Sequence, residues 1–202
     1  MVSQGAEVRK AAFLVENGFS EADFVDAAAA VEKEGWHVRV ISTGGQSIRG
    51  WSGSDWGAVY AVSGGLRDVC AGEYSLLVVP GGRRSIDKLG ICRETRGAIA
   101  GFLVSRRPAV FYNDAVSLLL DGTGIVKAKN LSAPAILAPV ILEEGATWSE
   151  APVSASGDLL TVCAEKPSFS KEIRTFLNKM SVHETIKGPE LPVRGASRDK
   201  AA

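Results

Sequence analysis

Glu73-Tyr74-Ser75-Leu76-Leu77-Val78-Val79-Pro80-Gly81-Gly82 is the stretch of sequence that indicates the fold most directly. Its central apolar run has no polar residue at alternate positions, which is typical of a strand buried on both faces of a parallel sheet. The Pro-Gly-Gly that follows ends the strand in a turn. A strand of this kind needs cover above and below, so helices are expected on either side of it in the chain.

The rest of the chain alternates between similar apolar runs and segments in which apolar residues recur at helical spacing. Further strands are predicted at 11–15, 38–42, 108–112 and 159–163, and helices at 21–34, 91–105, 115–120, 133–144 and 169–180. Residues 46–65 are rich in Gly and Ser and are predicted to form short strands or loops. The alternation predicts an α/β fold with a mostly parallel sheet between two layers of helices.

Composition and charge exclude several classes of protein. The 202 residues carry 23 Lys and Arg against 23 Asp and Glu, so the formal net charge is zero and we expect no nucleic-acid partner. No apolar run approaches the roughly 20 residues that span a bilayer, and the first residues lack a secretory signal pattern, so we expect no membrane partner and a cytoplasmic location. Three separated cysteines, two histidines and no phosphate-binding glycine pattern predict no disulfide framework, no metal and no cofactor.

The length predicts one domain at 10–186, with a flexible N-terminus at 1–9 and an extended or disordered tail at 187–202. In open parallel sheets, ligand sites lie beyond the carboxyl ends of the strands. Three acidic residues follow predicted strand ends and are therefore the first candidates for a site: Glu16, Asp23 and Asp114.

The order of these segments resembles the ThiJ/PfpI superfamily over about residues 10–177. The opening stretch, followed by Ile86-Asp87-Lys88-Leu89, resembles the family's DYDALVLPGG…PDKL segment, and Gly18-Phe19-Ser20-Glu21-Ala22-Asp23 resembles its GFEExE turn. The resemblance implies a flavodoxin-like three-layer sandwich, a small-molecule substrate and a homodimer.

The chain departs from the family at the residue that carries the family's chemistry. The family pattern AAICHGPxLL places a Cys followed by His on a sharp turn after a strand. Alignment on Pro108 puts Asn113 at the Cys position and Asp114 at the His position, whereas alignment on Gly124-Ile125-Val126 puts Asp114 at the Cys position. We prefer the first because Asn tolerates the unusual φ of such a turn. Asp23 falls where the family has the Glu that hydrogen-bonds its Cys.

Without a thiolate at this turn, the Cys-dependent activities of the family are not expected here. Asp23 and Asp114 instead predict acid–base catalysis by a carboxyl pair, with Asn113 orienting the substrate. By resemblance to the family, the Gly81-Gly82 turn and the backbone N–H of Asp114 would stabilise an oxyanion. Further candidates for contact with the substrate are Glu16, Ala115 and Tyr112, the last with packing in its strand as the alternative.

The sequence leaves two functions open. The first is an enzyme of the hydrolase, hydratase or lyase type that acts on a small polar or carbonyl-containing molecule without a Cys nucleophile. The second is an inactive family member that acts as a binding or stabilising module, as in large-subunit catalases, which carry a domain of this fold without the thiol site. Capping of helix N-termini is the competing explanation for both Asp23 and Asp114.

Overall fold

The computed structural model describes residues 9–70, 73–164 and 170–186. The predicted terminal segments therefore lie outside the described residues, apart from Arg9. The strands, in chain order, are β1 (Lys10–Leu14), β2 (Phe19–Ser20), β3 (His37–Ser42), β4 (Ser47–Trp51), β5 (Trp56–Ala61), β6 (Gly64–Gly65), β7 (Leu76–Val79), β8 (Ala109–Tyr112), β9 (Asn130–Ser132), β10 (Thr147–Ser149), β11 (Val153–Ser156) and β12 (Leu159–Val162).

Six α-helices occur in the described residues: α1 (Glu21–Lys33), α2 (Leu66–Cys70), α3 (Arg83–Ile91), α4 (Arg93–Val104), α5 (Ala138–Glu143) and α6 (Ser170–Ile186). Two 3-10 helices accompany them, at Asn113–Leu119 and Ala135–Leu137. No helix in these residues is long and apolar enough to cross a membrane.

The central sheet has seven strands in the order β11-β12-β8-β7-β1-β3-β6. All its neighbours are parallel except β11 and β12, which form an antiparallel pair at one edge. Phe13 of β1 lies opposite Val78 of β7, and Val78 lies opposite Val110 of β8. The carboxyl ends of β1, β7, β8 and β12 therefore meet at one edge of the sheet.

Both faces of the sheet are covered, as the uninterrupted apolar run 76–79 predicts. Leu77 and Val79 pack into one apolar cluster with residues of α2, α3 and α4, while Leu76 and Val78 pack into a second cluster with residues of α1 and α6. Successive side chains of a strand point to opposite faces, so a strand buried on both sides needs apolar residues at every position. The predicted three-layer, flavodoxin-like sandwich is confirmed.

Several elements differ from the sequence prediction. Residues 83–91 form helix α3, although no element is predicted from the sequence at 83–90. The i,i+4 ion pair between Arg83 and Asp87 supports its first turns. The predicted helix 115–120 is the 3-10 helix that begins at Asn113, and 133–144 is split between a 3-10 turn and the short α5. Short pairings such as β9 with β10 carry too weak a local pattern to be predicted.

Candidate active site

Asp23 lies in the first turn of α1, but it is not the residue that caps this helix. Ser20 is the N-cap, and its hydroxyl accepts the backbone N–H of Asp23 at 3.3 Å. The capping alternative is therefore wrong for Asp23. Its carboxylate instead faces the interior, where the residue is only 2% exposed.

Asn113 occupies the turn between β8 and the following 3-10 helix. Its φ of 48° lies in the left-handed region that few residues other than Gly adopt. The structure thus places Asn113, and not Asp114, at the strained position of the turn. The side-chain amide of Asn113 donates to both carboxylate oxygens of Asp23, at 3.3 and 3.2 Å, and its oxygen accepts the backbone N–H of Ala164 at 2.9 Å.

The glycine turn after β7 brings the two aspartates together. Gly81 donates its N–H to Asp23 Oδ2 at 3.0 Å, and Gly82 donates its N–H to Asp114 Oδ1 at 2.9 Å. A methyl group on Gly81 would lie 2.8 Å from Asp23 Oδ2 and 2.7 Å from Asp114 Oδ1. Only a residue without a side chain fits between the two carboxylates, which therefore flank the same small space.

Burial raises the pKa values of both carboxyls. Desolvation raises the pKa of Asp23 to about 6, with a further increase from the Asp114 charge, although hydrogen bonds from Asn113, Gly81 and Ser20 oppose the increase. Desolvation also raises the pKa of Asp114, against the hydrogen bond from Gly82 and the nearby charge of Arg83. Asp23 therefore exchanges its proton close to neutral pH, which suits a general acid or base.

Both carboxylates line one cavity of about 590 Å³, as sequence reasoning predicts from the strand ends. Its remaining walls come from Ser20, Ala22, Gly82, Asn113, Pro134, Cys163 and Ala164. In the described part of the chain, no group of three or more His, Cys, Asp and Glu side chains could hold a metal ion.

Cys163 is the site residue that sequence reasoning missed. It follows β12, which runs parallel to β8, so its thiol reaches the same edge of the sheet as Asn113. Desolvation and the Asp23 charge both raise the pKa of this thiol. Its position at the end of the predicted strand 159–163 was a usable signal, but the order of the strands in the sheet was needed to place it beside Asp23.

The predicted oxyanion site is already occupied by a side chain of the protein. The N–H of Gly82 points at Asp114 Oδ1, and the backbone N–H of Asp114 also stabilises this carboxylate. The Gly82 N–H has one hydrogen to donate, so it is not available to a substrate while Asp114 stays in place. In this conformation the chain's own Asp114 carboxylate stands where an oxyanion would meet the Gly82 N–H, and binding of an oxyanion by these N–H groups stays a prediction.

Glu16 does not line the cavity. Its buried carboxylate Oε1 accepts hydrogen bonds from the Ser42 hydroxyl at 2.6 Å, from the Thr43 N–H at 2.8 Å and from the Thr43 hydroxyl at 2.5 Å. Burial alone would raise the pKa of Glu16, but these hydrogen bonds hold it below its usual value. The prediction that Glu16 contacts the substrate is wrong, because Glu16 connects the end of β1 to the end of β3.

Tyr112 and Ala115 are both fully buried and do not line the cavity either. The Tyr112 hydroxyl donates to Asp26 on α1 at 3.0 Å, so this residue packs within its strand, as the alternative prediction states. Ala115 packs into the apolar cluster under α3 and α4. Of the predicted substrate contacts, Gly82 lines the cavity itself, whereas Gly81 acts through its N–H on Asp23.

Comparisons with known proteins agree with the fold described above. The sequence profile of the DJ-1/PfpI family matches residues 9–175 of the chain. No curated protein sequence matches it significantly.

Solved structures share the fold at low sequence identity. A ThiJ/PfpI domain protein from Brachyspira murdochii has a TM-score of 0.75 at 17% identity, covering 86% of this chain and 99% of that protein. DJ-1beta from Drosophila melanogaster has a TM-score of 0.70 at 17% identity, with 88% and 90% covered. A two-domain protein from Anabaena variabilis, with DJ-1/ThiJ/PfpI-like and ferritin-like domains, has a TM-score of 0.72 at 17% identity over 93% of this chain; the alignment spans about half (52%) of that protein.

Proposed function

This chain belongs to the DJ-1/PfpI family, and we propose that it is a member that catalyses proton transfer with carboxyl groups and without a cysteine nucleophile. The substrate in this proposal is a small polar or carbonyl-containing molecule, and the reaction is of the hydrolase, hydratase or lyase type. Asp23 is the principal acid or base, Asp114 is the second carboxyl, and Asn113 positions Asp23.

One observation carries the proposal: a buried carboxyl with a pKa of about 6 borders a cavity at the carboxyl ends of the parallel strands. A carboxyl with the ordinary pKa is a weak base at neutral pH, and raising the pKa by burial increases its basicity while leaving most of it ionised. Amide donors from Asn113 and Gly81 hold Asp23 in one orientation. A catalytic base has to be held in this way if its reach is to match the substrate.

Asp114 supplies the second group that proton transfer requires. In enolisation or dehydration, one group removes a proton from carbon while another delivers a proton to oxygen. Asp23 and Asp114 lie on the same side of Gly81 and line the same cavity, so both can reach one small molecule. The hydrogen bonds of Asn113 support a positioning role, because its side-chain amide is engaged by Asp23 and by the N–H of Ala164.

The lining of the cavity also bears on the charge of the substrate. Among the described residues that line it, two are acidic and none is basic. An anionic substrate would be repelled by an ionised Asp23, since charges within a few ångströms in a partly desolvated site interact strongly. The arrangement therefore favours neutral carbonyl, hydroxyl or amide compounds.

Deuterium exchange tests this function without requiring that the substrate be identified first. The full chain is incubated in D₂O with a panel of small neutral aldehydes, ketones and amides, and incorporation of deuterium next to the carbonyl is followed by proton NMR. We expect incorporation for at least one class and its loss in Asp23→Asn, while a variant with all three cysteines replaced by Ser keeps it. Loss of incorporation in the folded Cys-free variant would overturn the proposal.

A second candidate function, a non-catalytic binding module, is favoured by one observation. Both carboxylates already have protein hydrogen-bond donors, and both ends of the Asn113 amide are paired. In this case a compound would raise the melting temperature without any chemical change, and Asp23→Asn would leave that increase intact. The proposal also includes a homodimer, because the family tends to dimerise. A measurement of the molar mass in solution tests it.

A further inference from the structure

We propose that the chain has a second binding site, for a small carboxylate with an apolar body, at the opposite edge of the sheet from Asp23. A cavity of about 600 Å³ lies there, between the end of α4, the segment 125–129 and the β11–β12 turn. Arg106 precedes β8 and Asp158 precedes β12, whereas Asn113 and Cys163 follow the same two strands. Each strand has four residues, which separates the two cavities by roughly 13 Å.

Positive charge is concentrated in this second cavity. Arg106, Lys127 and Lys129 line it, and Asp158 is the one acidic residue among its described lining residues. Asp158 pairs with Lys129 at 3.7 Å. Within the described part of the chain, neither Arg106 nor Lys127 forms an ion pair, so two cations remain available to an anion.

Two residues that line this cavity have φ values in the left-handed region. The described residues include three non-glycine residues with φ in the left-handed region: Asn113, Arg106 at 57° and Ala128 at 60°. The first marks the candidate active site, and the other two line this cavity. Residues held in such conformations cluster at ligand sites, where the surrounding structure compensates for the strain.

Arg106 has its left-handed conformation just beyond the end of α4. Its N–H donates to the carbonyl of Leu103, and the N–H of Arg107 donates to the carbonyl of Phe102. A helix that ends with this pair of hydrogen bonds ordinarily has Gly at the left-handed position. An arginine there strains the backbone, and it places a guanidinium at the cavity. Lys127 is supported differently: its aliphatic stem lies over Gly145, where a Cβ would come within 3.4 Å of Lys127 Cγ.

The lining of the cavity is mostly polar, and three side chains add a smaller apolar part. Leu103 is buried, Ile125 is half-buried against the apolar core, and Val104 is 76% exposed at the rim. A guanidinium binds a carboxylate through two parallel hydrogen bonds, while the apolar surface removes an aliphatic or aromatic body from water. Together these features fit a carboxylate with a short apolar body, because the cations meet its charge and the exposed Val104 and half-buried Ile125 lie beside them.

The test uses hexanoate as the probe, with inorganic phosphate and hexylammonium as comparison ligands. Binding to the full chain is followed by amide chemical shifts in ¹H–¹⁵N NMR spectra, at constant ionic strength. We expect saturable shifts at residues 103–106, 125–129 and 156–158 with hexanoate, and weaker or no shifts there with the other two. Equal binding of phosphate, binding of hexylammonium, or no saturable hexanoate shifts would overturn the proposal.

Two variants test the cations named above. Arg106→Gly removes the guanidinium and suits the left-handed backbone, so it keeps the fold; Lys127→Glu reverses a charge at the cavity. Each is expected to raise the Kd for hexanoate about tenfold or more, the effect of losing one charge-assisted hydrogen bond. Lys171→Glu on α6, across the sheet, is the matched control and should leave the Kd unchanged, as should Asp23→Asn. Unchanged affinity in both cavity variants would contradict the assignment, whatever the outcome at Asp23.

Discussion

The amide of Asn113 holds the carboxylate of Asp23 through hydrogen bonds of 3.3 and 3.2 Å, although the two residues are 90 positions apart in sequence. The contact joins the first turn of α1 to the strained turn after β8. It connects the residue that we predict to stand at the family's nucleophile position to the acid beside it. Whatever chemistry the cavity supports therefore depends on how this pair sets the charge and orientation of Asp23.

Asp23→Asn is expected to abolish activity and yet stabilise the protein at neutral pH. The pKa of Asp23 is raised from 3.8 to about 6 in the folded state, so folding favours its protonated form. The contribution of this group to the free energy of unfolding is complete below pH 3.8 and is lost as the pH rises through about 6. At pH 7 the loss amounts to about 3 kcal/mol. Asn avoids that cost, while loss of the base slows proton transfer by about 10²–10⁴-fold.

Urea unfolding of both proteins across this pH range provides the measurement. The free energy of unfolding of the wild type should fall between pH 4 and pH 6 relative to that of Asp23→Asn, which keeps every other group. A variant that is less stable than the wild type at pH 7 would show that the ionised carboxylate is a net stabilising group.

Asn113→Gly is expected to raise the pKa of Asp23 further. Gly accepts the φ of 48° without strain, so the turn is kept while the amide that stabilises the Asp23 carboxylate is removed. Carboxyl ¹³C NMR during a pH titration measures the shift directly. Asn113→Ala removes the same amide but strains the backbone; the same increase in both variants would assign the effect to the amide, and an unchanged pKa would refute its role.

Gly81→Ala is expected to push the two carboxylates apart. The added methyl group would meet Asp23 Oδ2 at 2.8 Å and Asp114 Oδ1 at 2.7 Å, closer than van der Waals contact allows. We expect a loss of about 1–3 kcal/mol in the free energy of unfolding together with loss of activity. Gly97→Ala in α4 is the control, because nothing lies within 4 Å of its added methyl group; there a helical alanine should stabilise by up to about 1 kcal/mol.

Glu16→Gln is expected to reduce stability and leave the chemistry at Asp23 intact. Hydrogen bonds from Ser42 and Thr43 outweigh burial and lower the pKa of Glu16 in the folded state. The contribution of Glu16 to the free energy of unfolding is therefore complete above pH 4.5, its usual pKa, and is lost as the pH falls through the folded-state pKa. A neutral amide should cost about 1–3 kcal/mol at pH 7. Unchanged deuterium incorporation, measured beside the unfolding curves, would confirm that Glu16 lies outside the site.

Cys163 is expected to react slowly with iodoacetamide, because desolvation and the Asp23 charge raise the pKa of its thiol. The thiolate is the reactive form, so Asp23→Asn should accelerate the reaction by lowering that pKa. Peptide mass spectrometry measures the rate at this residue, with the half-buried Cys92 as an internal reference. The same rate at Cys163 in both proteins would mean that Asp23 does not act on the thiol.

The sequence alone was sufficient to predict the layers of the fold, and it placed the candidate site at the edge of the sheet where the cavity lies. An unbroken apolar run such as 76–79 has to be covered on both faces, and the carboxyl ends of parallel strands converge by geometry. These two rules are enough to place Asp23, Asn113 and Asp114 near one another. Both rules depend only on where each strand ends, and the pattern of apolar residues in the sequence shows where that is.

Only the tertiary structure decided what each of these side chains does. Hydrogen-bond partners such as Gly82 for Asp114, Asp26 for Tyr112 and Ser42 for Glu16 are distant in sequence and depend on strand order and register. The local pattern does not encode them, so the sequence alone predicts Glu16 and Tyr112 in a site that they do not line. Cys163 enters it for the same reason, because the neighbours of β12 are set by the packing of the whole sheet.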